Sequence, residues 1–497
     1  MICMQDNNQS ANKEYRSIFK ATSLFGGVQV YQILINIIKS KVIAIFLGPT
    51  GVGIQGLFVA AIDLIKQLAS FGLAQSAVRD VSEANNKSDH EKVGRIVSIV
   101  RKLVWGTGIL GLLAMSLFSP LLSYSSFGSY DYIISFIFLS TILLVDQICA
   151  GQKVVLQGLR RLKDLAKASA YGATCGLLIC IPLYYILGIE GIVPTLILNS
   201  IVALLISWYF SRKISIQKIS IPLKSAIKEA HVMIKLGLAL SVSSILVSAC
   251  AYILRGYIRS EGGTELVGLF TAGFVIMNTY VSMVFNALGT DFFPRLSAVN
   301  HDNVKCREMV NQQAEIGLLI LAPILSVCMV FTQLIIIVLY SSDFASANDY
   351  ISWAAVGMLF KLLSWCISYQ FIAKGESRVF IINEVLQNTY TLLLNLLGFH
   401  FCGLTGLGMS FTMCQILYLI QVYIIAHYKY GYFISSAVWK IFIVHFVLVS
   451  LAFVIAQSLH GLLLYGFGTV LIVLSCMISL YGLEKRTNLM NRFFKRN

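Results

Sequence analysis

Apolar segments long enough to cross a lipid bilayer follow one another along almost the whole of this 497-residue chain. A hydrocarbon core of about 30 Å takes roughly 20 helical residues, and about 14 segments meet that requirement. They lie near residues 22–47, 51–73, 102–123, 132–150, 169–188, 190–210, 232–255, 266–288, 314–340, 350–373, 383–401, 404–427, 439–457 and 461–481. With 57% hydrophobic and 12% charged residues, a soluble chain of this length would leave much apolar surface in water. The sequence therefore predicts an all-α polytopic membrane protein.

The distribution of Lys and Arg predicts which side of the membrane each loop faces. Residues 1–19 are polar and contain no apolar core or small-residue cleavage site, so we expect no removable signal peptide. Of the 38 Lys and Arg, 32 lie in the amino-terminal end, in alternate loops and in the tail 482–497. Both termini are therefore predicted to be cytoplasmic. The net charge of +15 fits this topology and adhesion to an anionic bilayer, and we expect no nucleic-acid partner.

Polar residues at helical spacing line one face of the first span, and a similar pattern recurs in the second half of the chain. The first set is Gln29, Gln32, Asn36 and Lys39, and the second is Ser241, Ser244 and Ser248. Residues three or four apart share one helix face. The segment 56–60 (Gly-Leu-Phe-x-Ala) recurs at 268–272 with the same offset, and 78–82 resembles 294–297. The pattern predicts two related halves around something polar, with chance similarity between apolar segments as the competing explanation.

The predicted duplication sets the expected domains. Residues 1–215 form an N-lobe of six spans, residues 216–430 a C-lobe of six spans, and residues 431–497 two extra spans with a basic cytoplasmic tail. Halves with equal span counts and the same orientation are parallel repeats, which recur among transporters that rock one half against the other.

No motif in the sequence indicates an enzyme. The chain has no Gly-rich phosphate loop ending in Gly-Lys-Ser, no His-Glu-x-x-His and no Gly-x-Ser-x-Gly. Its eleven cysteines form no Cys-x-x-Cys pair and do not cluster with His, so neither disulfides nor a metal site is expected. We expect no cofactor, and energy for transport would come from an ion gradient, the substrate gradient or a partner.

Charged residues inside the spans are the candidate functional groups, because burying a lysine at the centre of a membrane helix costs about 3 kcal/mol. Lys39 is predicted near mid-depth, and Lys41 points to another face. The structural alternative is that each side chain snorkels to the outer headgroups. In span two, Asp63 and Lys66 are one turn apart. They form either a mutual salt bridge or a site where Asp63 binds a proton or sodium ion and competes with substrate for Lys66.

Arginines end span seven, and polar residues continue in the C-terminal half. Arg255 and Arg259 suit bidentate phosphate binding, although both lie near the outer interface, where a purely structural role is equally reasonable. Lys361 is mid-span, and Glu384 and Asn388 share a face of span eleven with other polar residues. These residues could instead join helices to one another. The predicted substrate-binding cations are Lys39, Lys41, Lys66, Arg255, Arg259 and Lys361, and the predicted coupling or gating residues are Asp63, Glu384, Asn36 and Asn388.

Two blocks of sequence resemble O-antigen flippases of the polysaccharide-transport branch of the multidrug, oligosaccharidyl-lipid and polysaccharide exporter superfamily. The first block comprises residues 25–29, 39–41, 47–53 and 77–80, and the second comprises residues 361–369 and 373–375 with Glu384, Gln387 and Asn388. The second block is similar to spans ten and eleven of O-antigen and enterobacterial-common-antigen translocases. The resemblance covers nearly the whole chain in its layout of spans.

The resemblance implies a V-shaped bundle with two lobes and a cationic cavity that carries an undecaprenyl-diphosphate-linked oligosaccharide from the cytoplasmic to the periplasmic leaflet. It implies that Lys39 or Lys41 and Arg255 are cavity cations, and that Lys361 and Glu384 are cavity or gate residues. A glycan polymerase and a chain-length regulator are the partners it implies. The chain departs from the family in using lysine where arginine would bind phosphate more specifically.

Two other functions compete with this one. A multidrug cation antiporter of the same superfamily would need an acidic cavity, whereas the charges counted inside the spans are mainly lysines. A membrane glycan polymerase would need a sizeable periplasmic loop, and none longer than about ten residues is predicted on the opposite side.

Overall fold

The computed structural model describes residues 2–86, 89–217, 219–459 and 461–487, and the described residues form helices without strands. The helices of the first half are α1 (Ile2–Ser70), α2 (Leu73–Asn86), α3 (His90–Leu117), α4 (Ser119–Phe127), α5 (Ile133–Gly158), α6 (Leu162–Leu187), α7 (Ile192–Arg212) and α8 (Leu223–Glu229). The remaining helices are α9 (His231–Val275), α10 (Met283–Ala298), α11 (Asn303–Val330), α12 (Thr332–Leu339), α13 (Asn348–Ala373), α14 (Ser377–Tyr430), α15 (Ser436–Ser458) and α16 (Leu462–Thr487). The all-α prediction is confirmed.

The described residues contain 10 helical stretches long and apolar enough to cross a membrane. Four of them are 41 to 58 residues long, and each overlaps two of the predicted spans. The four are Val30–Ser70, Leu162–Arg212, Ser241–Ala298 and Ser377–Tyr430. These stretches are those of a polytopic membrane protein. A helix suits the bilayer core because it satisfies its backbone hydrogen bonds internally.

Glycines break the long helical stretches, and the breaks repeat along the chain. Gly48 (φ 62°, ψ −173°) has a counterpart in the second half in Gly263 (φ 79°, ψ 175°). Gly188 (φ 55°, ψ −129°) has a counterpart at the same sequence offset in Gly403 (φ 56°, ψ −134°). A positive φ favours glycine because it has no Cβ. These two matched pairs of unusual dihedral angles support the predicted duplication. The sequence offset between the paired glycines is about one helical turn longer than the offset between the repeated sequence motifs.

The third span of each half also begins in the same way. Asp89 accepts a hydrogen bond from the Lys92 amide at 2.8 Å and caps α3. Asp302 accepts from the amides of Val304 and Lys305 at 3.0 and 3.1 Å and caps α11. These backbone bonds, chiefly that from Lys305, hold the pKa of Asp302 below its usual value. A carboxylate at this position satisfies amides that have no partner within the helix.

By internal contacts the chain divides into two compact units, residues 1–260 and 261–497. The first unit includes α1 to α8 and most of α9, so span seven joins the first six spans. The lobes predicted from the repeat, 1–215 and 216–430, have different boundaries and stay a prediction, as does the separate segment 431–497. The predicted basic tail beyond residue 487 lies outside the described residues.

In the first unit, α1 packs on α6, α5 packs between α3 and α7, and α8 packs on α3. The segment before α9 is fixed to α3 by polar contacts. Arg95 donates to both carboxylate oxygens of Glu229, at 2.8 and 2.7 Å, and the Lys102 ammonium donates to the Ile221 carbonyl. The Arg95 hydrogen bond holds the pKa of Glu229 below its usual value.

In the second unit, α13 packs along α14, and α11 packs against α13, α15 and α16. The loop between α14 and α15 is organised by the buried Asn311. Its side-chain amide donates to the Phe433 carbonyl at 3.1 Å, and its oxygen accepts from the Ser435 amide at 3.0 Å. The last two spans are therefore packed against the body of this unit.

Candidate substrate-binding site

In the first unit, a salt bridge joins spans two and four. The Lys66 ammonium lies 2.5 Å from the Asp146 carboxylate, and the two side chains are 35% and 22% exposed. Lys66 is on the second part of α1, and Asp146 is on α5, 80 residues away in sequence. The bridge therefore connects two helices that the chain places far apart.

Asp63 was predicted as one possible salt-bridge partner of Lys66, and the structure corrects this. The described ion pair of Lys66 is with Asp146. Asp63 is exposed and lies within electrostatic range of Lys66, Arg255 and Asp146. The physical reason is that α5 packs on α1 and brings the Asp146 carboxylate to the Lys66 ammonium. Two carboxylates and two cations thus share one region of the first unit.

In the second unit, Lys361 of α13 makes a related contact. Its ammonium donates to Oδ1 of Asn278 at 3.0 Å. The rings of Phe285 and Phe411 have their centroids 5.7 and 5.8 Å from the same ammonium, within cation–π range. Asn278 lies in a π-helical turn, Ile276–Val281, and its buried Nδ2 has no hydrogen-bond partner among the described residues.

These two contacts occupy equivalent places in the duplicated sequence. Asn278 follows Lys66 by the offset of the Gly-Leu-Phe-x-Ala repeat, and Lys361 follows Asp146 by the offset of the glycine breaks. Each half of the duplicated sequence therefore carries a lysine bridge between its second and fourth spans. In the first half the lysine is on the second span, and its partner is charged. In the second half the lysine is on the fourth span, and its partner is a neutral amide.

Lys39 is half-buried in the first unit, on the side of α1 that packs near α6. The buried Cys180 of α6 lies within electrostatic range of its ammonium. The hydroxyls of Tyr31 and Thr174, 2.6 Å apart, join the same two helices. Lys41 is also half-buried. Lys39 is thus placed against protein, as a functional lysine would be, but its role stays a prediction.

The rest of the predicted polar stripe is divided between exposed and packed positions. Gln32 is half-buried and Asn36 is exposed, whereas the side chain of Gln29 lies outside the described residues. Its counterpart Ser241 is buried and donates to the Gly237 carbonyl at 2.9 Å. An added Cβ on Gly72 would collide with the Ser241 hydroxyl. This part of the second stripe therefore mediates close helix packing.

The two arginines of α9 have different surroundings. Arg255 donates to the Ala251 carbonyl of its own helix at 3.3 Å and lies within electrostatic range of Asp63. The Arg259 guanidinium lies against Gly128, the left-handed residue that ends α4, where an added Cβ would collide with a guanidinium nitrogen. A cation at a helix C-terminus is stabilised by the exposed carbonyls. Arg255 therefore belongs with the charged cluster, and Arg259 has a structural position.

Glu384 and Asn388 lie one turn apart on α14, and the Asn388 amide donates to the Glu384 carbonyl at 2.8 Å. Both residues are half-buried, and Tyr390 and Tyr418 are within electrostatic range of Glu384. The structure brings neither residue to Lys361 through a described hydrogen bond or ion pair. Their gating role stays a prediction.

Sequence reasoning missed two residues of this arrangement. Neither Asp146 nor Asn278 is among the residues that the sequence predicts for the site. The available signal was the repeat itself, because aligning the halves places Asp146 opposite Lys361 and Lys66 opposite Asn278. Among the described residues, no group of His, Cys, Asp and Glu could hold a metal ion.

The paired membrane helices, the internal duplication and the lysines held between helices define a multi-pass membrane transport protein. The model of the family described as polysaccharide biosynthesis protein matches residues 18–300, more than half of the chain. The chain belongs to this family. The model of the lipid II flippase MurJ family also matches, over residues 172–477.

Individual proteins and structures give the same result. The chain is 23% identical to the lipid III flippase of Escherichia coli K12 over 389 residues, which cover 75% of this chain and 89% of the relative. The Shigella flexneri protein of the same name matches equally. Among solved structures, an inward-facing multidrug resistance transporter of the MOP superfamily matches with a TM-score of 0.68 and 16% identity, covering 82% of this chain and 96% of its own. The inward closed lipid II flippase MurJ has a TM-score of 0.67 and 12% identity, covering 93% and 99%. The fold is that of the MOP superfamily.

Proposed function

We propose that this protein is a flippase that carries an undecaprenyl-diphosphate-linked oligosaccharide, an O-antigen repeat unit or a related surface glycan, from the cytoplasmic to the periplasmic leaflet of a bacterial inner membrane. Both termini are cytoplasmic in this proposal, and transport occurs by alternating access. The family match and the likeness to lipid III flippase support a lipid-linked glycan as the substrate.

The observation that carries the proposal is the excess of uncompensated cations inside the spans. Lys66 is neutralised by Asp146, but the partner of Lys361 is a neutral amide. Among the described residues, no carboxylate lies within ion-pair distance of Lys39. A diphosphate left alone in a low-dielectric core would cost tens of kcal/mol, and fixed cations reduce that cost. The prenyl chain can remain in lipid while the headgroup crosses.

The Lys66 bridge gives the substrate a way to compete with a protein carboxylate. Phosphate oxygens that approach Lys66 would replace Asp146 as its partner. The displaced carboxylate would then be left near Asp63, and a cation bound between the two carboxylates would offset their negative charge. In this way binding of the diphosphate would be coupled to an ion held by Asp63 and Asp146.

The Lys361 bridge offers a second contact of a different kind. The buried Nδ2 of Asn278 can donate to a phosphate oxygen while its Oδ1 holds the lysine. The Lys361 contact would therefore differ from the Lys66 bridge, because it contains no carboxylate that the substrate would have to displace.

Deletion of the gene tests the proposal directly. Mass spectrometry of the isoprenoid lipids should show a complete oligosaccharide unit accumulating on its diphosphate carrier. Absence of this intermediate, together with lost resistance to cationic dyes, would instead indicate a multidrug antiporter of the same superfamily.

Variants of Lys39 test the role of the cations. Lys39→Ala should abolish glycan export while the protein remains inserted, and Lys39→Arg should retain much of the activity because the charge is kept. Lys305→Ala is a matched control, since Lys305 is exposed and its described ion pair is with the nearby Asp302. Wild-type export by Lys39→Ala would remove Lys39 from the mechanism.

A further inference from the structure

A basic cavity of about 480 Å³ lies in the first unit at the end of the helices predicted to face the cytoplasm. Its walls come from three helices and the segment that follows them. Arg101 begins span three, Gln152 follows span four, and Trp208, Ser211 and Arg212 end span six. Because these positions lie at the same end of their helices, the cavity is at the level where lipid headgroups meet water.

The cavity is positively charged and contains no acidic residue in its lining. Arg101 and Arg212 lie on different helices, α3 and α7. In the described part of the chain, neither arginine takes part in an ion pair. The Arg212 guanidinium lies 5.1 Å from the centroid of the Trp208 ring, a cation–π contact that orients it. Two arginines without carboxylate partners form a site for an anion, and the planar guanidinium fits phosphate oxygens in particular.

Ser211 provides independent evidence for a ligand. It lines the cavity, and it is 1% exposed. Its hydroxyl has no hydrogen-bond partner among the described residues. A buried hydroxyl without a partner costs about 1–3 kcal/mol, so an acceptor supplied by a ligand would remove this penalty.

The surface beside the cavity is apolar and aromatic. Leu205, Trp208 and Tyr209 of α7 are 55%, 45% and 56% exposed. Tyr171 of α6 is 54% exposed and stacks on Phe210. Aromatic rings with one polar edge favour the membrane interface. A cavity for phosphate that opens next to such a surface suits a ligand with acyl chains better than a free anion.

We propose that this cavity binds the headgroup of an anionic phospholipid of the cytoplasmic leaflet. Arg101 and Arg212 hold the phosphate, Ser211 and Gln152 hydrogen-bond to it or to the headgroup hydroxyls, and the acyl chains lie along the exposed face of α7. A bound lipid would connect α3, α5 and α7 at this end of the unit. This lipid is distinct from the transported glycan carrier, and the inference does not depend on the proposed function.

Native mass spectrometry of the full-length protein in detergent tests the proposal with phosphatidylglycerol and phosphatidylcholine as probes. We expect wild type to bind phosphatidylglycerol at least tenfold more tightly than phosphatidylcholine. The double variant Arg101→Gln, Arg212→Gln should lose that preference. The matched control is Arg79→Gln with Arg307→Gln, which removes two arginines predicted to face the same side and should keep the preference. Equal loss in the control, or no loss in the cavity variant, would overturn the assignment.

Fluorescence quenching in vesicles gives a second measurement that does not depend on the stability of the arginine variants. Brominated phosphatidylglycerol should quench wild-type protein more than brominated phosphatidylcholine does, and Trp208→Phe should remove most of that difference. Millimolar pyrophosphate should leave the difference unchanged, because a free anion lacks the acyl contacts. Displacement by pyrophosphate would show a simple anion site and refute a lipid site, as would equal quenching by the two lipids.

Discussion

The strength of the Lys66–Asp146 bridge can be measured by substituting its two residues. The equivalent pair in the second half suggests a variant that should restore the lost stability. At 2.5 Å the Coulomb energy is about 7 kcal/mol for an effective dielectric of 20 and about 2 kcal/mol in water. The two side chains are 35% and 22% exposed, so solvent screening and desolvation bring the net value toward the lower figure. We expect a coupling energy of about 2 kcal/mol between the two residues.

The assay is a double-mutant cycle with Lys66→Met, Asp146→Leu and the double variant, using the free energy of unfolding from titration with sodium dodecyl sulfate in bicelles. Each single variant leaves one charge without its partner, so the double variant should be more stable than simple addition of the two single effects predicts. A coupling energy below about 0.5 kcal/mol would show that the bridge is no stronger than an exposed surface pair, contrary to this expectation.

A rescue variant gives the first half the same pair of residue types that the second half has. Lys66→Asn combined with Asp146→Lys places an amide on span two and a lysine on span four, as Asn278 and Lys361 do in the second unit. This variant should unfold within about 1 kcal/mol of wild type, since a hydrogen bond to a charged group contributes about 1.5–3 kcal/mol. A loss as large as that of the worse single variant would show that the two bridges are not equivalent.

Three further predictions concern other contacts. Lys361→Met should abolish glycan export without lowering protein levels in the membrane, because the aliphatic volume is kept while the charge is lost; normal export would exclude Lys361 from the site. Arg95→Ala should destabilise the protein at neutral pH, as measured by thermal unfolding. The difference in stability from wild type should disappear as the pH falls through the lowered pKa of Glu229, since a carboxyl with a lowered pKa contributes stability only while it is ionised. A difference that persists in acid would contradict this pairing. Gly128→Ala should lower the free energy of unfolding by about 1–2 kcal/mol, because φ is +66° and the new Cβ would collide with Arg259. Adding Arg259→Ala should restore only the part of that loss that is due to the collision. Equal stability of Gly128→Ala and wild type would contradict the strained geometry.

Much of the fold follows from the sequence because the bilayer restricts the choices. The predicted spans lie almost entirely in helix, since an apolar segment can cross lipid only with its backbone bonds satisfied. The break at Gly48 is also readable, because Pro49 follows it and proline favours the first turn of a new helix. The matched dihedral angles of Gly188 and Gly403 then extend the duplication beyond what the sequence motifs covered.

The pairing of charges between helices does not follow from the sequence in the same way. Rules for neighbours on one helix face direct Lys66 to Asp63, whereas the observed partner, Asp146, is distant in sequence and depends on how α1 packs with α5. The boundary between compact units at residue 260 likewise reflects the packing of span seven, which the repeat offset does not reveal. The sequence thus predicted how far along its helix each candidate residue lies. It did not predict which residue on another helix each one contacts.

If lysines inside the spans carry a diphosphate headgroup across the membrane, their removal should stop transport by the purified protein. Purified protein should be reconstituted in vesicles with an undecaprenyl-diphosphate-linked oligosaccharide in the outer leaflet, and the fraction that becomes protected from an impermeant glycosidase should be measured over time. We expect protein-dependent protection for wild type that is lost in Lys39→Ala and Lys361→Met and kept in Lys305→Ala. Protection that is absent in wild type, or undiminished in both lysine variants, would contradict it.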